Sequence, residues 1–126
     1  MSLPERLLTE SSLTTRQFAS LMSYQRVVSG EIRLRDAASI ASSGRIRGNP
    51  QKMLTVGSYY RTLTQAKTNV RKSLVTILIS IQLGVVRPEE LRRLFDLVGA
   101  GIRELPEEEQ ERLVRILRAL VDHIVL

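Results

Sequence analysis

The 126-residue sequence contains no cysteine, no tryptophan and a single histidine, His123. Without cysteine the chain forms no disulfide, zinc–thiolate site or iron–sulfur cluster, and it has no thiol nucleophile. One histidine excludes a metal site built on two histidines and leaves little for a histidine-centred triad within one chain. We therefore expect no catalytic activity, no cofactor and no bound metal.

Long apolar runs are also missing. The longest apolar region, Leu74 to Val86, is 13 residues long and includes Thr76, Ser80 and Gln82. It is too short to span a bilayer. The first residues have neither the basic start nor the apolar core of a signal peptide. We expect a cytoplasmic protein with no membrane association.

Acidic residues are scarce in the first part of the chain, where the formal charge of +6 is concentrated. Residues 1–75 contain 12 Lys or Arg and four acids, a net charge of +8, whereas residues 76–126 carry −2. Such asymmetry suggests a polyanion as partner, although a solvated arginine-rich surface would give the same counts. Arginine outnumbers lysine 16 to three, and its planar donor fork suits phosphate and guanine edges.

Apolar residues recur at helical spacing through most of the chain, and alternating strand patterns are sparse. The sequence therefore predicts an all-α fold, with helices over residues 4–10, 14–29, 34–42, 55–83, 87–102 and 106–124. Two glycines, an asparagine and a proline between Gly44 and Lys52 predict a loop that carries only cationic charges.

The longest predicted helix begins near Thr55, a favourable N-cap, and has an apolar stripe from Tyr59 to Ile81. Its first half has one polar face, whereas its second half is apolar on nearly all sides. Such a helix half is expected to be central and buried.

The last two predicted helices each begin with proline followed by glutamates, which suit the first turn of a helix. Their short connection predicts an antiparallel hairpin. Because they carry more apolar surface than a short hairpin can cover, we expect homodimerisation. The predicted dimer interface comprises Leu78, Ile81, Leu94, Phe95, Leu113, Ile116, Leu117, Leu120 and Ile124.

The segment Thr55-Val-Gly-Ser-Tyr-Tyr-Arg-Thr-Leu63 resembles the recognition helix of prokaryotic helix-turn-helix transcriptional regulators, archaeal ones included. The preceding Leu34-Arg-Asp-Ala-Ala-Ser-Ile-Ala resembles the first helix of that motif, so the resemblance covers residues 34–71. About ten residues separate Gly44 from Thr55, where the family has a turn of three or four. The insertion would then be a basic arm that contacts phosphate or the minor groove.

The resemblance implies that Thr55 caps the helix and that Tyr59 and Leu63 pack inward. It also implies a set of double-stranded DNA contacts in three groups. Those facing the major groove are Gly57, Ser58, Tyr60, Arg61, Thr62 and Gln65; those along the phosphates are Lys67, Arg71 and Lys72; those on the basic arm are Arg45, Arg47 and Lys52.

The sequence thus predicts two parts that share the long helix: a DNA-binding part over residues 1–73 and an oligomerising part over residues 74–126. The predicted function is sequence-specific DNA binding in transcriptional regulation. Two alternatives remain: a helical adaptor that docks on another protein, and an RNA-binding protein in which Tyr59 and Tyr60 stack on unpaired bases.

Overall fold

The computed structural model describes residues 2–45, 55–99 and 105–126, without the side chains of residues 41–45. These residues form an all-helical fold, as the sequence predicts, and contain no β-strand beyond an isolated bridge between Val86 and Val125. The helices are α1 (Leu3–Leu7), α2 (Thr15–Val28), α3 (Leu34–Arg45), α4 (Val56–Gln82), α5 (Pro88–Gly99) and α6 (Glu107–Ile124), with a 3₁₀ turn at Leu8–Glu10 after α1.

Helix boundaries follow local sequence signals. Helix α4 lies within one residue of its predicted ends, and the chain leaves it through Gly84, whose φ of 75° is readily adopted only by glycine. Gly30 plays the same part after α2, with a φ of 80°. Helix α3 continues past its predicted end at Ser42 to Arg45. The α3–α4 and α5–α6 connections lie outside the described residues, so the helix-turn-helix arrangement and the hairpin stay predictions.

The chain forms two compact units. The N-terminal unit is Ser11–Lys72, and the C-terminal unit combines Met1–Glu10 with Ser73–Leu126. The predicted division into residues 1–73 and 74–126 therefore has to be corrected at its start. Residues 2–10 pack with the C-terminal unit because α1 contacts α6, an association between distant segments that has no local sequence signal.

The core of the N-terminal unit is built from α2, α3 and the first half of α4. Ala37 and Ala38 of α3 are buried together with Tyr59 and Leu63 of α4. The small alanine side chains let these helices approach closely around the tyrosine ring. Partly buried side chains surround this cluster: Leu21, Tyr24, Val27, Ile32 and Leu34.

The core of the C-terminal unit centres on Leu113 and Leu117 of α6, which are covered by Leu3, Leu7, Leu94 and Leu105. Ile124 is also buried. The assignment of Leu113, Leu117 and Ile124 to a dimer interface is therefore corrected, because the chain itself covers these side chains. Phe95 and Ile116 are exposed, and Leu94 and Leu120 are half-buried.

The second half of α4 differs from the prediction of a buried helix. Leu74 is 55% exposed and Leu78 is 61% exposed, and Val75 and Ile79 are exposed as well. Ile81 is half-buried. The prediction of a buried helix half is therefore wrong for the four exposed residues, because little of the described part of the chain covers them. In the described part of the chain, no helix has the length and apolar character needed to cross a membrane.

Candidate nucleic-acid interface

The start of α4 is fixed by a cap and by a buried aromatic side chain. The backbone N–H of Ser58 donates to Oγ1 of Thr55 at 3.0 Å, which confirms the predicted cap and satisfies one of the free donors of the first turn. Tyr59 and Leu63 are buried, as the family resemblance implies. Their inward orientation turns Arg61 and Gln65 to solvent, since these residues lie on the other face of the helix.

Hydrogen bonds hold the Tyr59 ring in place against α2. Its hydroxyl donates to the carbonyl oxygen of Ser20 at 3.2 Å and lies 3.1 Å from Oγ of Ser23. Burial raises the pKa of Tyr59, although the hydrogen bond to Ser23 opposes this shift. Tyr59 is therefore a protonated structural anchor that sets the rotation of α4, and it is not available for stacking on a base.

The start of α2 lies beside the face of α4 that carries Arg61 and Gln65. Thr14 and Gln17 form a capping box: the Gln17 N–H donates to Oγ1 of Thr14, and Oε1 of Gln17 accepts from the Thr14 N–H, each at 3.1 Å. Asn69 of α4 donates to the Ser12 carbonyl oxygen at 2.8 Å and to Oε1 of Gln17 at 3.0 Å. These bonds tie the first turn of α2 to α4.

Two adjoining grooves lie along this junction. One has a volume of about 290 Å³ and is lined by Thr14, Arg16, Gln17, Ser58, Arg61, Thr62 and Gln65. The other has a volume of about 410 Å³ and is lined by Thr64, Gln65, Thr68, Asn69 and Lys72. Gln65 lines both, so they form one continuous surface. We call it the basic face and define it by its exposed side chains Arg16, Arg61, Gln65, Thr68 and Lys72.

The acids of the N-terminal unit do not neutralise this face. Residues 11–72 contain eleven Lys or Arg but only Glu31 and Asp36 as acids, a net charge of +9. Glu31 pairs with Arg26 at 2.8 Å and Asp36 lies 3.6 Å from Arg33. Arg16, Arg61 and Arg71 form no ion pair within residues 2–45, 55–99 and 105–126. Their charges remain available to an anion from outside the chain.

Most of the predicted DNA-binding residues of α4 are solvent-exposed. The exposed ones are Gly57, Tyr60, Arg61, Gln65, Arg71 and Lys72, and Ser58 and Lys67 are half-buried. The Lys67 ammonium lies 4.0 Å from the centre of the Tyr24 ring, a cation–π contact. The side chain of Arg45, and Arg47 and Lys52 as a whole, lie outside the described residues.

Thr62 has to be corrected. The residue is only 7% exposed, so it contributes little accessible surface to the groove that it helps to line. One residue along the helix from Arg61, it turns toward the same side as the buried Leu63 and Tyr59, as the 3.6-residue period requires.

Sequence reasoning missed Arg16. Arg16 lies in the first turn of α2, two residues after Thr14. Nothing in the local sequence indicates that it shares a groove with Arg61, 45 residues later. Among the described residues, no three His, Asp or Glu side chains are grouped so that they could hold a metal ion. The side chains that define the site are cations, an amide and a hydroxyl: Arg16, Arg61, Lys72, Gln65 and Thr68.

Comparison with protein-family models, with curated proteins and with solved structures finds no match to this chain.

Proposed function

We propose that this chain binds double-stranded DNA through the basic face of its N-terminal unit and acts as a transcriptional regulator. The observation that carries the proposal is the pairing of Glu31 and Asp36 with Arg26 and Arg33, while Arg16 and Arg61 have no ion-pair partner among the described residues. A surface of this kind attracts a polyanion, and phosphates are the natural partners of exposed arginines.

The geometry of α4 favours a duplex over a small anion. Arg61, Gln65, Thr68 and Lys72 follow one another at spacings of four, three and four residues and form a stripe on one side of the helix. A helix can enter the major groove with such a stripe facing the bases. Arg61 is suited to guanine, Gln65 to adenine, and Arg16 and Lys72 to the flanking phosphates.

The experiment is a salt titration of binding to a labelled duplex, followed by fluorescence anisotropy. Wild-type affinity should fall linearly on a logarithmic scale as salt rises, because phosphate contacts release counterions. The double variant Arg16→Ala, Arg61→Ala should bind at least about tenfold more weakly, with a slope smaller by up to about two units.

The matched control is the double variant Arg92→Ala, Arg112→Ala, which removes the same charge from exposed positions of the C-terminal unit. It should leave affinity and slope nearly unchanged. If the two double variants weaken binding equally, net charge rather than the basic face is responsible. Tighter binding to single-stranded RNA of equal length would favour the RNA alternative, and absence of salt-sensitive binding would favour the adaptor.

A further inference from the structure

The chain between Lys72 and Arg87 contains no charged residue over 14 consecutive positions. We call residues 73–86 the uncharged segment; it comprises the end of α4 and the turn that follows. Its large side chains are well exposed in the C-terminal unit, with Leu83 at 71%, Leu78 at 61% and Leu74 at 55%. Val75, Ile79 and Val85 are exposed too.

Such a surface is unusual for a helix that remains in water. Exposed helices normally carry charged side chains on the solvent side, and helices that are apolar all round are covered by other protein or by lipid. No helix of the described residues can span a membrane. Contiguous apolar patches of this kind mark sites of protein association.

One polar group of the segment, the Ser80 hydroxyl, does not oppose burial. Oγ of Ser80 donates to the carbonyl oxygen of Thr76 at 2.7 Å, so this hydroxyl already has its partner within the helix. Covering the segment would therefore not leave the Ser80 donor unsatisfied, which is the main cost of burying a hydroxyl.

We propose that a second copy of this chain covers the uncharged segment, so that the end of α4 meets its own counterpart across a two-fold axis. The segment exposes six large apolar side chains, which is the kind of apolar centre found in a standard interface, to which each partner contributes roughly 800 Å². The exposed side chains of the segment can thus form the apolar centre of a two-fold contact.

The charge distribution favours a like copy over a different partner. A two-fold contact places the same surface on both sides, so any net charge on it opposes itself. The C-terminal unit carries a net charge of −3, and a two-fold contact through its acidic helices would be repulsive. The uncharged segment avoids this repulsion, and it offers no charge pattern by which a different protein could be selected.

The first test measures mass by light scattering during size-exclusion chromatography at micromolar concentration. The wild-type chain should elute at twice 14.2 kDa. Leu78→Glu places a charge in the middle of the proposed contact and should weaken association by at least about 100-fold. Because Leu78 is exposed in the single chain, the variant should keep its helical circular dichroism.

The matched control is Val28→Glu, since Val28 is 70% exposed but lies at the end of α2 in the other unit. This variant should remain dimeric. A wild-type mass of 14.2 kDa would overturn the proposal, and so would an oligomer that is unaffected by Leu78→Glu. Neither outcome bears on DNA binding, which depends on the basic face and can be measured on a monomer.

A second test uses the absence of native cysteine. Leu74→Cys and Leu78→Cys lie one helical turn apart on the segment, and at least one of them should form a covalent dimer on mild oxidation. Val28→Cys is the control for random collisions. Cross-linking by the Leu74 and Leu78 variants that does not exceed the control would overturn the two-fold contact.

Discussion

The two units of this chain differ in the kind of side chains that they leave exposed. The N-terminal unit leaves cations exposed: its two acids are already paired, and Arg16 and Arg61 share a groove without a carboxylate. The C-terminal unit instead pairs several of its arginines, such as Arg6 and Arg118, with glutamates, and leaves apolar side chains exposed. One unit is thus suited to long-range attraction of an anion, and the other to short-range contact with protein.

Their interiors differ as well. In the N-terminal unit the largest buried side chain, Tyr59, is fixed by hydroxyl contacts to Ser20 and Ser23. In the C-terminal unit the buried centre is aliphatic, with Leu113 and Leu117. Hydrogen bonds require a defined geometry, whereas aliphatic contacts adapt more easily. The unit with the basic face therefore has the core whose contacts require the more precise geometry.

The largest expected effect tests whether the units are stabilised separately. Leu117→Ala removes a buried side chain from the centre of the C-terminal unit and should lower the free energy of unfolding by about 3 kcal/mol. Hydrogen exchange should accelerate in α6 and remain nearly unchanged in α2 and α3. Ile116→Ala, at an exposed neighbouring position, should cost less than about 1 kcal/mol. Equal acceleration of exchange in both units by Leu117→Ala would show that they unfold together.

A smaller effect tests the hydrogen-bonded core of the other unit. Tyr59→Phe removes the hydroxyl that donates to the Ser20 carbonyl oxygen and should cost about 1–2 kcal/mol in urea-induced unfolding at neutral pH. It should also change the response to alkali. The pKa of Tyr59 is raised in the fold by burial, so its contribution is complete below pH 10 and is lost as the pH rises through the folded pKa.

Wild-type stability should therefore fall more steeply than that of Tyr59→Phe above about pH 10, the ordinary pKa of tyrosine. Tyr60→Phe is the matched control, because its ring is exposed. An alkaline decline of the same steepness in Tyr59→Phe and wild type would contradict the assignment of that decline to Tyr59.

The smallest expected effect concerns the attachment of α1. The Arg6 guanidinium is 3.1 Å from the carboxylates of both Glu107 and Glu111, and its side chain is only 12% exposed. Arg6→Ala should cost about 1 kcal/mol, since both glutamates are exposed and the pairs are partly screened. In limited proteolysis, the Arg6→Ala variant should be cleaved within its first ten residues faster than the wild-type chain. Arg112→Ala, an exposed control on α6, should not change the cleavage pattern. Equal protease sensitivity of the two variants would argue that the Arg6 ion pairs do not hold α1 on α6.

Local signals predicted the helices well and the associations poorly. Thr55, Gly30 and Gly84 act within a few residues of their own positions, so the cap and the two helix ends could be inferred from the sequence. The inward positions of Tyr59 and Leu63 follow from helical periodicity alone. The same periodicity places Thr62 toward the side of α4 that carries Tyr59 and Leu63.

The packing of α1 on α6 joins residues about one hundred positions apart, and nothing near Leu3 or Leu7 indicates that partner. The sequence therefore predicts a dimer interface at Leu113 and Leu117, although the chain covers them itself. Arg16 was missed for the same reason, because its relation to Arg61 exists only after α2 packs on α4. Apolar patterns reveal which face of a helix is buried, but they do not identify the partner.

The discontinuity of the C-terminal unit has a consequence for how the chain folds as it is synthesised. The N-terminal unit, Ser11–Lys72, is contiguous, so all of its residues are synthesised before α6. The segment Met1–Glu10 is synthesised before that unit, yet Leu3 and Leu7 find their apolar partners only after α6 has been made. Leu3 and Leu7 are thus synthesised early but reach their final environment late.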